Sequence, residues 1–420
     1  MKRLIKPIKF NITAFHLWLA GLAAVMGAGA VAGVIVFARG LVVTHLTDLV
    51  PWGLWITIDL SSIAMSAGAF LLCAAVYILG LKRYQPLART ATYIGLIGYS
   101  MAILTLMLDI GRPDRFWHAL VYWNPHSLLW EVTMCVTLYL TVLLIETAPI
   151  FGEMEWMQRR FPAIAKRLTG LHKLAPYLAI VGLCLSMLHQ SSLGAAYGIL
   201  KARPILYRPD LSVLFMVSAM AGGPSLTVLV SMLANRLTKR APVDDELLKK
   251  VTHFIGWVLV GYLYFRVWDA LAMTYTYQPG KTEGLSMLTK GPLSFNFWVG
   301  EILLGTVVPI FFLLNKRLRL NPILRMVALG LVVGGVVAYR WDINMAGQLL
   351  MLTYLPQQIV PRYTTYVPSL IEFLAGAGVV AFGVFAITIG IRYLNIVNHK
   401  PVEHEPEPVL EAEVQPAMGD

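Results

Sequence analysis

The stretch Leu178–Leu200, LAIVGLCLSMLHQSSLGAAYGIL, decides the fold. It contains no Asp, Glu, Lys or Arg. Wound as α-helix at about 1.5 Å per residue, it crosses the roughly 30 Å hydrocarbon core of a bilayer. Yet His189, Gln190, Ser191 and Ser192 stand in a row inside it, and lipid offers them no hydrogen-bond partner. The segment reads as a membrane helix whose polar side chains face a protein interior. Helical rotation of about 100° per residue keeps the four from sharing one face. His189 and Ser192, three apart, share a face and suit a pocket, whereas Gln190 and Ser191 suit bonds between helices.

The rest of the chain has the same character. Of 420 residues, 57% are hydrophobic and 14% charged, against about 25% charged in soluble domains. Spanning apolar runs at about 17–39, 53–80, 90–109, 127–148, 175–198, 211–234, 251–275, 295–314, 322–339 and 369–394 predict ten helices. They make residues 1–398 one membrane domain. The run after MKRLIKPIKF is long enough to span and reads as the first helix, not a cleaved signal. The acidic, Pro-rich stretch 399–420 reads as a disordered cytoplasmic tail.

The net charge of +11 follows from where the basic residues lie, without invoking nucleic acid. Of the 34 Lys and Arg, 23 fall on one side of the predicted membrane, 10 on the other, and Arg266 within a span. By the positive-inside rule the rich side, with both termini, is cytoplasmic. On that topology the ionisable residues within spans collect in the outer half. Asp59 lies two turns into helix two, Asp109 at the end of helix three, and Glu131 at the start of helix four. Arg266 and Asp269 share helix seven, Glu301 begins helix eight, Arg340 and Asp342 end helix nine, and Glu372 begins helix ten. Glu146, near the inner end of helix four, is the exception. Such residues cost about 2.5–3.5 kcal/mol each at helix-centre depth, so they mark a polar interior or a set of buried ion pairs. Eight of the eleven tryptophans also fall near the outer boundary, as an aromatic belt or a docking surface would have them.

Cys73, Cys135 and Cys184 stand singly in three spans, which argues against an iron–sulfur cluster or zinc site of the chain's own. No helix places two histidines so as to hold two haems, so no haem is expected. No phosphate-binding glycine loop, dinucleotide fingerprint or zinc-protease motif appears in its required context. Chemistry on a membrane-soluble molecule remains, and a quinone fits: its reduction needs two electrons and two protons. Two other readings stay open, a secondary transporter or channel using the carboxylates, and a passive anchor.

Four motifs then carry a resemblance: PWGLWITIDLSSIAMSAGAF at 51–70, GRPDRFW at 111–117, NPHSLLWEVTMCVTLYLTVLLIE at 124–146 and LHQSSLG at 188–194. Together they resemble the NrfD/polysulfide-reductase family of membrane subunits, and within it the HybB-type branch of periplasmic nickel–iron hydrogenases and related menaquinone reductase complexes. The resemblance implies two four-helix bundles with one helix added at each end. It also implies a haem-free menaquinone or ubiquinone site in a bacterial or archaeal inner membrane. The implied partners are a periplasmic ferredoxin-like iron–sulfur subunit, fed by a hydrogenase, a molybdenum enzyme or a multihaem cytochrome. Polysulfide-type members carry a His near the start of the Trp-Gly helix, where this sequence has Trp55, so that role passes to another histidine.

The expected site lies near the outer leaflet among helices two to five. His189 is the first choice for a quinone carbonyl, Asp59 and Glu131 are acid groups beside it, Ser192 shares its face, and Trp52 and Trp55 shape the entrance. Glu146, Arg266, Asp269 and Glu301 are candidates for a proton path. No metal site is expected.

Overall fold

The computed structural model describes residues 13–238, 243–275 and 278–397. Ten helices long and apolar enough to cross a membrane run through them. They are α1 (Ala14–Arg39), α2 (Leu54–Tyr77), α3 (Gln85–Asp109), α4 (Leu128–Gly152) and α5 (Ala175–Gly198). Then follow α6 (Leu211–Leu237), α7 (Asp245–Tyr275), α8 (Asn296–Leu314), α9 (Pro322–Leu349) and α10 (Leu370–Tyr393). The chain is an all-α integral membrane protein.

Helix starts are set by local chemistry. Ser127 caps α4 by accepting a hydrogen bond from the Trp130 N–H, and Asn321 does the same for α9 just ahead of Pro322. At α10, Ser369 and Glu372 form a reciprocal capping box. Asn296–Val307, the first part of α8, is wound as a π-helix, in which the Thr306 hydroxyl donates five residues back to the Glu301 carbonyl.

Helices α2 to α5 close one four-helix bundle and α6 to α9 a second, while α1 and α10 pair with each other and lean on α3. The bundles meet where α2 packs on α6 and α9. That seam is backbone against backbone. A Cβ added to Gly68 would stand 1.8 Å from the Ala219 carbonyl oxygen, and one on Gly223 would stand 2.0 Å from the Ala69 nitrogen. Small residues are what let membrane helices approach this closely.

The structure departs from the sequence reading at several ends. Helix nine, expected over 322–339, continues to Leu349, because Arg340, Asp342, Asn344 and Gln348 are buried within the protein and need no water. Helices α3, α4 and α7 also run several residues beyond their apolar runs, α3 and α7 at the start and α4 at the end. Directly after α9 comes an unexpected antiparallel hairpin, β1 (Leu350–Leu355) with β2 (Gln358–Tyr363). It packs over the loop before α6, where the Leu352 N–H donates to the Ala202 carbonyl and Arg203 donates to the carbonyls of Gln348 and Leu49. The segments 1–12 and 399–420 lie outside the described residues.

Gly223→Val should prevent the seam from closing and abolish accumulation of folded protein. Gly330→Ala, whose added Cβ meets nothing within 4 Å, should leave accumulation and the melting temperature unchanged. Size-exclusion profiles in detergent read both outcomes.

Candidate functional site

The polar interior falls into two groups, one in each bundle. In the first bundle His189 is fully buried on α5, with its Nδ1 2.5 Å from the Tyr99 hydroxyl on α3. Tyr99 meets Tyr139 of α4 edge-on at 4.6 Å between ring centres, and Tyr139 meets Phe70 of α2 at 5.6 Å. This aromatic cage fixes the imidazole plane. His189 Nε2, the Tyr139 hydroxyl and Asp59 Oδ1 have no hydrogen-bond partner. Asp59 is 3% exposed and sits within electrostatic reach of both Tyr99 and Asp109. Unpartnered buried polar atoms cost about 1–3 kcal/mol each, so a cluster of them marks a place kept for something other than packing.

The other expected site residues fall around this group. Ser192 donates to the His189 carbonyl, so its hydroxyl serves its own helix. Trp52 is half-buried and tilts against Tyr197 at 5.1 Å. Trp55 is 1% exposed in the apolar seam with α1, α3 and α10, where its indole N–H donates to the Glu372 carbonyl at 2.9 Å. Glu131 is half-buried near the start of α4, and no hydrogen bond ties it to His189 or Tyr99. Glu146 lies toward the opposite end of the bundle. There it lines a small cleft with Tyr77, Arg89, Thr92 and His172, and its Oε2 is unpartnered.

The second bundle holds a saturated ionic network. Arg266 of α7 donates from Nε to Glu301 Oε1 at 2.6 Å, from Nη2 to Glu301 Oε2, and from Nη1 to Asp269. Glu301 also accepts from the Tyr262 hydroxyl at 2.8 Å. Asp269 is shared with Arg208, whose Nε lies 2.6 Å from Oδ1. Arg208 also stands 3.7 Å from Asp210, just ahead of α6. Burial, with Asp269 beside it, pushes the Asp210 carboxyl up to about 6, against the pull of Arg208. The π-helical start of α8 presents Glu301 to Arg266.

A polar contact between the bundles runs directly beside His189. Gln190, next to His189, accepts through Oε1 from Arg340 Nη2 of α9 at 3.2 Å. Sequence reading pairs neither Tyr99 with His189 nor Arg208 with Asp269. A lone Tyr in an apolar run and an Arg two residues ahead of a helix carry no signal of partners 90 and 61 residues away.

The chain matches the family profile described as "Polysulphide reductase, NrfD" over residues 42–351. It is 34% identical over 399 residues to the "Menaquinone reductase, integral membrane subunit" of Nitratidesulfovibrio vulgaris (strain Hildenborough), which covers 92% of this chain and 93% of that protein. The "Hdr-like menaquinol oxidoreductase integral membrane subunit" of Archaeoglobus fulgidus is 25% identical, covering 91% of this chain and 93% of its own. The "Probable Ni/Fe-hydrogenase 2 b-type cytochrome subunit" of Escherichia coli K12 is 27% identical, at 86% and 87%.

Glu301→Ala leaves Arg266 with Asp269 as its one carboxylate and should destabilise the protein by about 3–5 kcal/mol, read as a fall in thermal midpoint. Glu301→Gln keeps an acceptor and should cost less. Asp210 titrates higher in the fold than in the unfolded chain, so the fold holds the extra proton between roughly pH 4 and 6 and loses stability as pH rises through that window. Asp210→Asn should remove that slope from the melting temperature.

Proposed function

The chain belongs to the NrfD polysulphide reductase family, and from that premise we propose that this membrane subunit binds menaquinone or ubiquinone in its first bundle. It exchanges electrons with an iron–sulfur partner subunit docked at the end that carries the β-hairpin. The observation behind this reading is the pair of buried groups, Asp59 and His189, each with an unpartnered polar atom and both within reach of Tyr99. The excess of basic residues in the loops at the opposite end supports an outer-face position for the hairpin end in a bacterial or archaeal inner membrane.

Reducing a quinone to a quinol takes two electrons and two protons, and the residues divide that work. A Tyr99 hydroxyl donating to His189 Nδ1 leaves the ring proton on Nε2, the free side, as the donor toward one quinone oxygen. Asp59 holds the second exchangeable proton, and Tyr99 between them keeps the imidazole in one orientation. The Trp52–Tyr197 pair forms the aromatic lip where a flat ring slides in, Ser192 braces the helix beneath His189, and Glu131 supplies negative charge at the rim. Trp55 holds α2 against α1 and α10. Glu146, in its cleft at the far end, takes up protons from the opposite face, while Arg266, Asp269 and Glu301 brace the second bundle.

Iron–sulfur clusters belong to the partner. No helix carries two histidines at a spacing that would hold two haems, which supports a haem-free subunit.

His189→Ala should abolish quinone reduction by the purified complex while leaving its subunit composition intact. Tyr99→Phe, which frees the imidazole to rotate, should lower kcat at least tenfold with little change in the KM for quinone. Normal turnover in His189→Ala would overturn the site. A haem absorption spectrum and extraction of bound lipids test the cofactor reading independently.

A further inference from the structure

Arg340 is fully buried, and its charge has no partner. Nη2 makes all of its hydrogen bonds, to the Phe215 carbonyl at 3.0 Å, the Ser218 hydroxyl at 3.1 Å and Gln190 Oε1 at 3.2 Å. Nε and Nη1 have none. Among the described residues no carboxylate lies within ion-pairing distance of it. The comparison within the same fold is direct. Arg208 and Arg266 face Asp269 and Glu301, Arg325 faces Asp245, and Arg203 is held by backbone carbonyls on both terminal nitrogens. Asp342, two residues along α9, points about 200° away and accepts from Asn296 of α8 instead.

A donor stands beside the Arg340 guanidinium. A guanidinium only donates, so the oxygen of Gln190 must face it, which leaves the Gln190 amide nitrogen, also unpartnered, beside it. The Phe215 ring covers one face of the guanidinium at 3.7 Å and Tyr339 lies at 5.3 Å, so water is held off. A permanently charged group buried without a counter-charge is strongly unfavourable, and its free N–H groups select an electron-rich acceptor.

We propose that Arg340 and Gln190 form a binding site for a single electron-rich acceptor atom, either a dissolved halide or a ring oxygen of a quinone. The halide source stands apart from the quinone reading. The site lies at the α5–α6–α9 junction, and its occupant supplies the acceptor that Arg340 Nε and Nη1 lack.

The test uses the purified complex in detergent, with gluconate as the only anion. The thermal midpoint is followed while chloride or bromide replaces gluconate at constant ionic strength, and separately while 2,3-dimethyl-1,4-naphthoquinone is added. A rise with halide that Arg340→Gln abolishes and Gln190→Leu weakens at least tenfold in apparent affinity establishes a dissolved anion. The same pattern with naphthoquinone alone establishes the ring oxygen. If neither probe moves the wild-type midpoint, or if Arg340→Gln keeps the full response, a water fills the site and the proposal fails. Should Arg340→Gln not accumulate, the wild-type titrations and Gln190→Leu decide. A halide response with no quinone turnover would overturn the quinone reading and leave this one standing.

Discussion

The contact of Gly68 and Gly223 fixes the geometry on which the other buried groups depend. It sets α2 and α6 at backbone distance and so joins the two bundles. Helix α6 then offers the Phe215 carbonyl and the Ser218 hydroxyl to Arg340. Helix α2 offers the Thr57 hydroxyl, with the carbonyls of Trp52 and Gly53 ahead of it, to Asn344 one turn further along α9. These bonds span 3.0 to 3.2 Å and join one face of α9 to α6 and α2, so a side chain wedged into the seam would break both sets. Lipid supplies no hydrophobic force between helices, and close packing of small residues takes over that role.

With the seam closed, the two bundles arrange their buried ionisable groups differently. In the second, the groups on α7 and α8 are paired: Arg266 with two carboxylates, Asp269 with two arginines, Glu301 with an arginine and a tyrosine, while Tyr339, Arg340 and Asp342 of α9 keep unpartnered polar atoms. Buried pairs of this kind add little net stability, yet losing one partner is expensive, which makes the network a lock. The first bundle has no buried ion pair among His189, Tyr99, Tyr139 and Asp59, and it leaves three of their polar atoms free. Chemistry that moves protons needs groups whose charge is not already committed. The division suits a rigid half that holds the helices in register and a poised half that reacts.

Much of this was legible in the sequence, and the remainder shows where pattern reading stops. Ten helices followed from apolar length, because satisfying the backbone within a bilayer leaves a spanning chain few choices. His189 and Asp59 stood out for being polar in apolar runs, and both turned out buried. Arg266 and Asp269, three apart, announced their own pairing. Partners on distant helices stayed hidden, since nothing in YIGLIGYSM marks Tyr99 as the neighbour of His189. The extent of α9 was hidden for the opposite reason: WDINMAGQ reads as a polar exit from the membrane, whereas its side chains are consumed by neighbouring helices. The tryptophan belt misled at Trp55, whose indole is spent on α10.

Helix α9 therefore carries the argument of the whole site on successive turns. Tyr339 lies between the guanidinium groups of Arg266 and Arg340, at 5.6 Å and 5.3 Å from its ring centre. Asp342 reaches α8, and Asn344 reaches α2 while accepting from the Tyr197 hydroxyl of α5 at 3.0 Å. Each of these groups faces a different neighbour, which ties α9 to several helices at once. Tyr339, Asp342 and Gln348 each keep one unpartnered polar atom and Arg340 keeps two, and Arg340 is flanked by the residue next to His189. The open edge of Arg340 thus lies where the two bundles meet, one residue from the group that His189 belongs to.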